Sequence, residues 1–288
     1  MKILITGSTG FVGRYIANEL SKKYSLILPV RNFEKAKKVL NLNENTKLIK
    51  FTEDLDKLVV KENPDVIINL LGILKEDREK NITFEKVHYT FTEKLVNGAV
   101  KLDIKHFIQM SALGADINSK SRYLKTKAAA EEYVKASGLH YSIFRPSIII
   151  GREQLLFKEF KKFSKITPFF FAPKGKVQPV HIFDVKDCFL KVLEHFIQNN
   201  TYELCGTEVI TYKQLFEFAL KVIGENKKVI EVPRIFLLPI AVVGEFIKDS
   251  PLTYDQWLML EKDNICSGKY QGVKSLLGNV RSAFDLNY

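Results

Sequence analysis

The chain has 288 residues, 46% of them hydrophobic and 27% charged, which excludes a disordered or collagen-like protein and leaves room for one large domain or one and a half. Its 44 lysines and arginines outnumber 33 acids, giving a net charge of +11. The basic residues are dispersed along the whole chain instead of forming one arm, which argues against nucleic acid as a partner.

The chain opens on an apolar strand over 2–6 with no basic leader ahead of a hydrophobic stretch, so no signal peptide is expected. Val12, Ile16 and Leu20 recur one turn apart and predict a helix over 12–23. Strands follow over 26–30 and 47–51, with a basic helix over 33–40 between them. The unbroken apolar run over 66–71 suits a parallel sheet covered on both faces. A long helix over 83–101, a strand over 106–110, a helix over 120–137 closed by Gly138, and a strand over 140–145 complete the alternation. Strands and helices alternating in this way predict a doubly wound, Rossmann-type α/β sheet.

Past Gly151 the rhythm changes. Thr211 with Gln214 and Thr253 with Gln256 form capping boxes that start helices, and shorter strands fall near 178–182 and 228–232. The expected division is a nucleotide-binding domain over 1–151 and a mostly substrate-binding lobe over 152–288, with segments returning to the sheet. The stretch 229–247 is the best membrane candidate. Glu231, Arg234, Glu245, Pro233 and Pro239 keep it short of the ~20 apolar residues a span needs, which leaves a surface position. Cys188, Cys205 and Cys266 lack close spacing, so neither a disulfide framework nor a zinc cage is expected and a reducing compartment is the simplest setting.

The strongest chemical signal is Gly7-Ser-Thr-Gly10-Phe-Val-Gly13, which follows the first strand and opens the first helix. Gly7 permits the tight turn, Gly10 lets the backbone approach a pyrophosphate, and Gly13 allows helix and strand to pack closely. The helix N-terminus supplies amides and a positive dipole for the phosphates. After the second strand, where an acid would hold a ribose 2′-hydroxyl, the sequence carries Arg31. That favours NADP over NAD, with NAD still open and a plain surface charge as the competing role. Asp54-Leu55 after the third strand suits either the adenine amino group or a helix N-cap.

Ser111 ends the fifth strand, and Tyr123 and Lys127 lie four apart on one helix face. A phenol beside an ammonium group is expected to have a lowered pKa and to exchange a proton with an alcohol or carbonyl, which a nearby serine would orient. Tyr270 and Lys274 repeat the spacing but sit in the irregular C-terminal third and read as structural. His88, His106 and Trp257 read as packing residues, and Asp184 as a cap for the helix after His181. Lys158, Lys161, Lys162 and Lys165, threaded with phenylalanines, read first as a solvated helix face. An anionic substrate or a membrane surface comes next. Following directly on Gly151, that segment is expected to hang over the nicotinamide end of the cleft as a lid.

Gly7-x-x-Gly10-x-x-Gly13, Ser111, Tyr123-x-x-x-Lys127 and Arg145-Pro146-Ser147 with Gly151 resemble the extended and atypical short-chain dehydrogenase/reductases, the NAD-dependent epimerase/dehydratase superfamily. Asn69-Leu70-Leu71-Gly72, Phe84-Glu85-x-Val87-His88, Ser111-Ala112-Leu113-Gly114-Ala115-Asp116 and Leu252-Thr253-x-Asp255-Gln256 are similar to one atypical branch. That branch contains the nucleotide-binding accessory subunit of mitochondrial respiratory complex I and its bacterial relatives.

The resemblance implies an acid/base role for Tyr123, a ribose-binding and pKa-lowering role for Lys127, and a carbonyl-positioning role for Ser111. It also implies cofactor contacts at Gly7, Thr9, Gly10, Phe11, Val12, Gly13, Leu71, Gly72 and Pro146. The helix over 87–94 departs from the pattern of nucleotide-sugar epimerases. Three functions follow in order: an NADP-dependent oxidoreductase acting on a small-molecule carbonyl or alcohol, a non-catalytic NADPH-binding or redox-sensing subunit in contact with a respiratory complex, and an epimerase or dehydratase. The expected location is cytoplasmic, at most peripheral at the inner face of a membrane.

Overall fold

Short runs rich in isoleucine, leucine and valine form the central strands, and the helices between them turn apolar stripes onto the sheet. In chain order, β1 (Lys2–Thr6), α1 (Phe11–Leu20), β2 (Ser25–Val30), α2 (Phe33–Val39), β3 (Thr46–Lys50), α3 (Leu55–Glu62) and β4 (Val66–Asn69) come first. A π-helical turn, Glu85–Thr90, then runs into α4 (Phe91–Leu102), followed by β5 (His106–Met110), α5 (Arg122–Ala136) and β6 (Tyr141–Pro146). Next are β7 (Ile149–Ile150), α6 (Leu155–Phe163), β8 (Phe169–Pro173), β9 (Lys176–Val177), β10 (Val180–His181), α7 (Ile182–Glu194) and β11 (Asn200–Leu204). The chain ends with β12 (Ile210–Thr211), α8 (Tyr212–Val222), β13 (Lys228–Val232), α9 (Leu238–Gly244), α10 (Tyr254–Met259), β14 (Gln271–Gly272) and α11 (Val273–Leu277). The structure, a computed structural model, describes residues 1–247 and 250–288.

The main sheet has eight strands in the order β14-β11-β6-β5-β4-β1-β2-β3, every neighbour parallel. Strand order reverses between β1 and β4, and in such sheets the crevice at the carboxyl ends beside the reversal is where ligands bind. All residues of β4 are buried, as its apolar run requires. One core fills the face under α1, α7 and α11, and another fills the face under α3, α4 and α5.

Phe157 and Phe160 of α6 pack with Phe170, Leu215, Ala219 and Val229 into a third core, and β8 pairs in parallel with β13. Phe160 stacks on Phe170 with ring centres 4.7 Å apart and meets Phe216 edge-on. The expected lid therefore spends these phenylalanines on the centre of its own lobe. The cap of α7 also differs from expectation. His181, not Asp184, is the N-cap, its Nδ1 accepting from the Phe183 amide, while the buried Asp184 binds the Arg281 guanidinium and main-chain amide.

The cysteine expectation is overturned. Cys205, just past β11, is disulfide-bonded to Cys266, and the third cysteine, Cys188, is a buried thiol. Sequence spacing hid the pair, which is 61 residues apart. The partners meet because the 264–267 segment is tied down: Ser147 Oγ donates to Asn264 Oδ1 at 2.5 Å, the Cys266 amide to Gln178 Oε1, and the Ser267 amide to Glu203. Cysteine usage thus no longer argues for a reducing compartment. Closing a loop this long limits the unfolded chain, and its removal is expected to cost about 2–4 kcal/mol. Urea melts of Cys205→Ser with and without dithiothreitol check this: the reductant should shift the parent protein but not the variant.

Candidate active site at the carboxyl ends of the sheet

Two groups of residues meet at the reversal of strand order. The first is the glycine turn between β1 and α1. Gly7 has φ +70°, and a β-carbon there would lie 2.8 Å from the Leu70 carbonyl oxygen. At Gly13 a β-carbon would stand 2.2 Å from the Gly7 carbonyl, so only glycine lets α1 seat against the turn. No side chain caps α1 and no acid occupies its first turn, which leaves its amides open to an anion. The Ser8 hydroxyl is buried with no hydrogen-bond partner among the described residues. A bare backbone cradle, a helix N-terminus and an orphaned hydroxyl fit a dinucleotide pyrophosphate.

The second group lies on α5 and the loop after β4. Asn69 ends β4 and joins three elements: it accepts from Thr6 at 2.6 Å and donates to Thr92 and Gln109. Beyond it, Lys127 Nζ donates to the Leu71 and Met110 carbonyls, and a β-carbon on Gly72 would sit 3.3 Å from that nitrogen. His88 holds the same loop by accepting from the Ile73 amide, and its other ring nitrogen meets Thr126 of α5. Burial, reinforced by Lys127, drives the His88 pKa well below the usual range, so the ring is neutral. The π-helical turn that interrupts the predicted helix is where His88 sits, and such turns recur at functional positions.

Tyr123 is buried between Phe84 and His88, with ring centres 5.7 and 5.1 Å away. Its phenol is not lowered as expected: burial, aided by the Asp255 charge, pushes it up to about 12. Burial takes Lys127 down to about 8, while Glu131 pulls it back toward the charged form. Ser111 donates its hydroxyl proton to Glu131 Oε1 at 2.5 Å. Arg145 fixes that carboxylate from β6 through Nε and Nη2 at 2.8 and 2.7 Å. Tyr123, Lys127 and Glu131 therefore form one stripe on α5, with Ser111 turned toward its far end.

Glu131 and Asp255 went unread as site residues. Asp255 accepts from the Ser121 hydroxyl at 2.8 Å and from the Arg122 and Tyr123 amides, so α10 caps the helix that carries Tyr123. A signal existed for Asp255, since it lies inside the Thr253–Gln256 capping box. Among the other expected contacts, Arg31 lies exposed just past β2, with no ion pair among the described residues. Asp54 begins α3 without a side-chain cap and pairs with Lys57 at 3.6 Å. Leu55 is fully buried, which leaves only its main chain to face a nucleotide. Pro146 is buried at the end of β6. Tyr270 stacks on the Arg145 guanidinium.

The NAD(P)H-binding family profile matches residues 7–156. The chain is 32% identical over 276 residues to the Arabidopsis thaliana "NADH dehydrogenase [ubiquinone] 1 alpha subcomplex subunit 9, mitochondrial", covering 90% of this chain and 68% of that protein. It is 29% identical over 255 residues to the Neurospora crassa "NADH-ubiquinone oxidoreductase 40 kDa subunit, mitochondrial", covering 83% of this chain and 64% of that one. The matched regions thus span about two thirds of these relatives' length. In three dimensions it resembles a nucleoside-diphosphate-sugar epimerase from Staphylococcus aureus, with a TM-score of 0.71, 16% identity, and coverage of 99% of this chain and 98% of that one. At that identity the likeness establishes the fold alone.

Proposed function

The chain belongs to the NAD(P)H-binding family, and from that premise we propose that it is a nucleotide-binding accessory subunit that holds NADPH without turning it over, in contact with a respiratory complex. The observation that carries this reading is the Ser111–Glu131 hydrogen bond. A serine that orients a substrate carbonyl must donate its proton to that oxygen, and here the proton goes to a carboxylate clamped by Arg145. The raised phenol of Tyr123 points the same way, because an acid/base near 12 is poorly matched to neutral pH. Lys127 and the loop from Leu71 to Ile73 would then serve to grip the nicotinamide ribose. The Arabidopsis and Neurospora relatives, named as subunits of NADH dehydrogenase and NADH-ubiquinone oxidoreductase, supply the class of partner.

A second reading, a carbonyl or alcohol oxidoreductase, is favoured by the retention of Tyr123 and Lys127 one turn apart on α5. One experiment separates the two. The protein is loaded with NADPH, and the 340 nm absorbance is followed against a panel of aldehydes and ketones, with Tyr123→Phe in parallel. The accessory reading expects bound NADPH to persist in both proteins with unchanged affinity. Consumption that the parent supports and Tyr123→Phe abolishes would establish the oxidoreductase instead.

A further inference from the structure

We propose that the 3₁₀ turn Arg234–Leu237, α9 and the outer side of the β8–β13 pair form a docking face for a lipid bilayer with anionic headgroups. The proposal goes beyond the nucleotide-binding reading and does not depend on it. Phe236 and Phe246 stand 68% and 86% exposed, and Ile235, Val243 and Ile247 are each more than half exposed. The opposite side of the same segment is well held. Leu237 and Ala241 are buried against Trp257, whose indole donates to the Arg234 carbonyl at 2.8 Å, and Lys75 Nζ donates to the Ile247 carbonyl. The apolar side chains therefore point outward from an anchored element. A monomer in water rarely shows so dense an apolar patch unless something covers it.

The patch adjoins a second one. β13 leads into the 3₁₀ turn through Pro233 alone, and its partner β8 turns Phe169 and Phe171 outward, beside the exposed Ile166. Charge selects the occupant. Residues 155–176 carry six lysines against one glutamate, and Lys228 stands exposed opposite Phe169 in the β8–β13 register. Phe169 and Phe171 protrude from a stretch with Lys165 before it and Lys174 after it. Protruding aromatic residues beside basic ones suit an anionic bilayer, which admits single side chains between its headgroups and needs no matching shape. Among the described residues no helix is long and apolar enough to cross a membrane, so the contact would lie in the interface plane.

The test is flotation of the full chain with phosphatidylcholine vesicles, with and without phosphatidylglycerol. The parent protein should float with the anionic vesicles. The Phe236→Ser/Phe246→Ser double variant should lose at least about tenfold in binding at low and high salt alike, since two side chains no longer leave water. Its melting temperature and NADPH affinity should be unchanged. Changing Lys158, Lys161, Lys162 and Lys165 to glutamine should weaken binding at low salt only. Failure to float with either vesicle would overturn the proposal. So would binding that needs the lysines but ignores the phenylalanine pair. A concentration-dependent dimer that the phenylalanine variant dissolves, without vesicle binding, would give the face to a second copy and overturn it equally.

Discussion

Replacing Glu131 with alanine is expected to cost about 3–5 kcal/mol of stability, the scale for breaking a buried ion pair from one side. Glu131 is 1% exposed and accepts from the Arg145 guanidinium twice, from Ser111 and from Lys135. Without it, the mostly buried Arg145 keeps its charge and loses its counterion, and desolvation is no longer offset. Glu131→Leu combined with Arg145→Met should recover part of the loss, because no buried charge is then left without its counterion, while the buried Ser111 hydroxyl still loses its acceptor. Urea unfolding of the two variants beside the parent protein gives the answer. A single-variant loss below about 1 kcal/mol would mean that the site tolerates a bare arginine and that Glu131 is not its clamp.

The same substitution reaches Lys127 through charge. Burial holds that ammonium near 8, below its ordinary 10.5, while Glu131 pulls upward. The unfolded chain therefore binds the extra proton between about pH 8 and 10.5, and Lys127 makes stability rise with pH across that window. Removing Glu131 should extend the window downward.

What could be read in advance was whatever local patterning controls. The strand His106–Met110 matched its prediction residue for residue, as did Lys228–Val232, because apolar runs bounded by turns leave few alternatives. Both capping boxes formed with reciprocal bonds, since their partners sit three residues apart. What escaped depends on contacts distant in sequence. Asp255 caps a helix 133 residues away from it, and the cysteine pair meets where Ser147, Gln178 and Glu203 hold the 264–267 segment. The start of α4 was blurred for a similar reason: His88 bonds to Ile73 and Thr126, and the helix widens into a π turn around it. The phenol of Tyr123 is raised and not lowered because the ring is closed in by Phe84 and His88: desolvation is the leading cause, with the Asp255 charge behind it, and a tyrosine and a lysine four residues apart reveal neither.

Exchanging Arg31 for aspartate is expected to reverse the choice between NADPH and NADH. Arg31 follows the last residue of β2, where an acid would accept from a ribose 2′-hydroxyl, and it is exposed with no ion pair among the described residues. Its neighbour Asn32 caps α2 by accepting from the Lys35 amide at 2.8 Å, which orders the loop without engaging the guanidinium. A guanidinium–phosphate pair is charge-assisted, so a preference for NADPH of roughly 1.5–3 kcal/mol is expected. Aspartate would remove that pair, repel the 2′-phosphate and accept from the 2′-hydroxyl of NADH. Together these should swing the affinity ratio by about a hundredfold or more. Calorimetric titration of both nucleotides into both proteins measures the swing, and equal affinities in the parent protein would reduce Arg31 to a surface charge. Because the arginine is solvent-exposed, the preference should shrink as salt screens it. The backbone cradle at Gly7, Gly10 and Gly13 would meet the pyrophosphate of either nucleotide alike, so Arg31→Asp is expected to change the ratio of the two affinities more than their common strength.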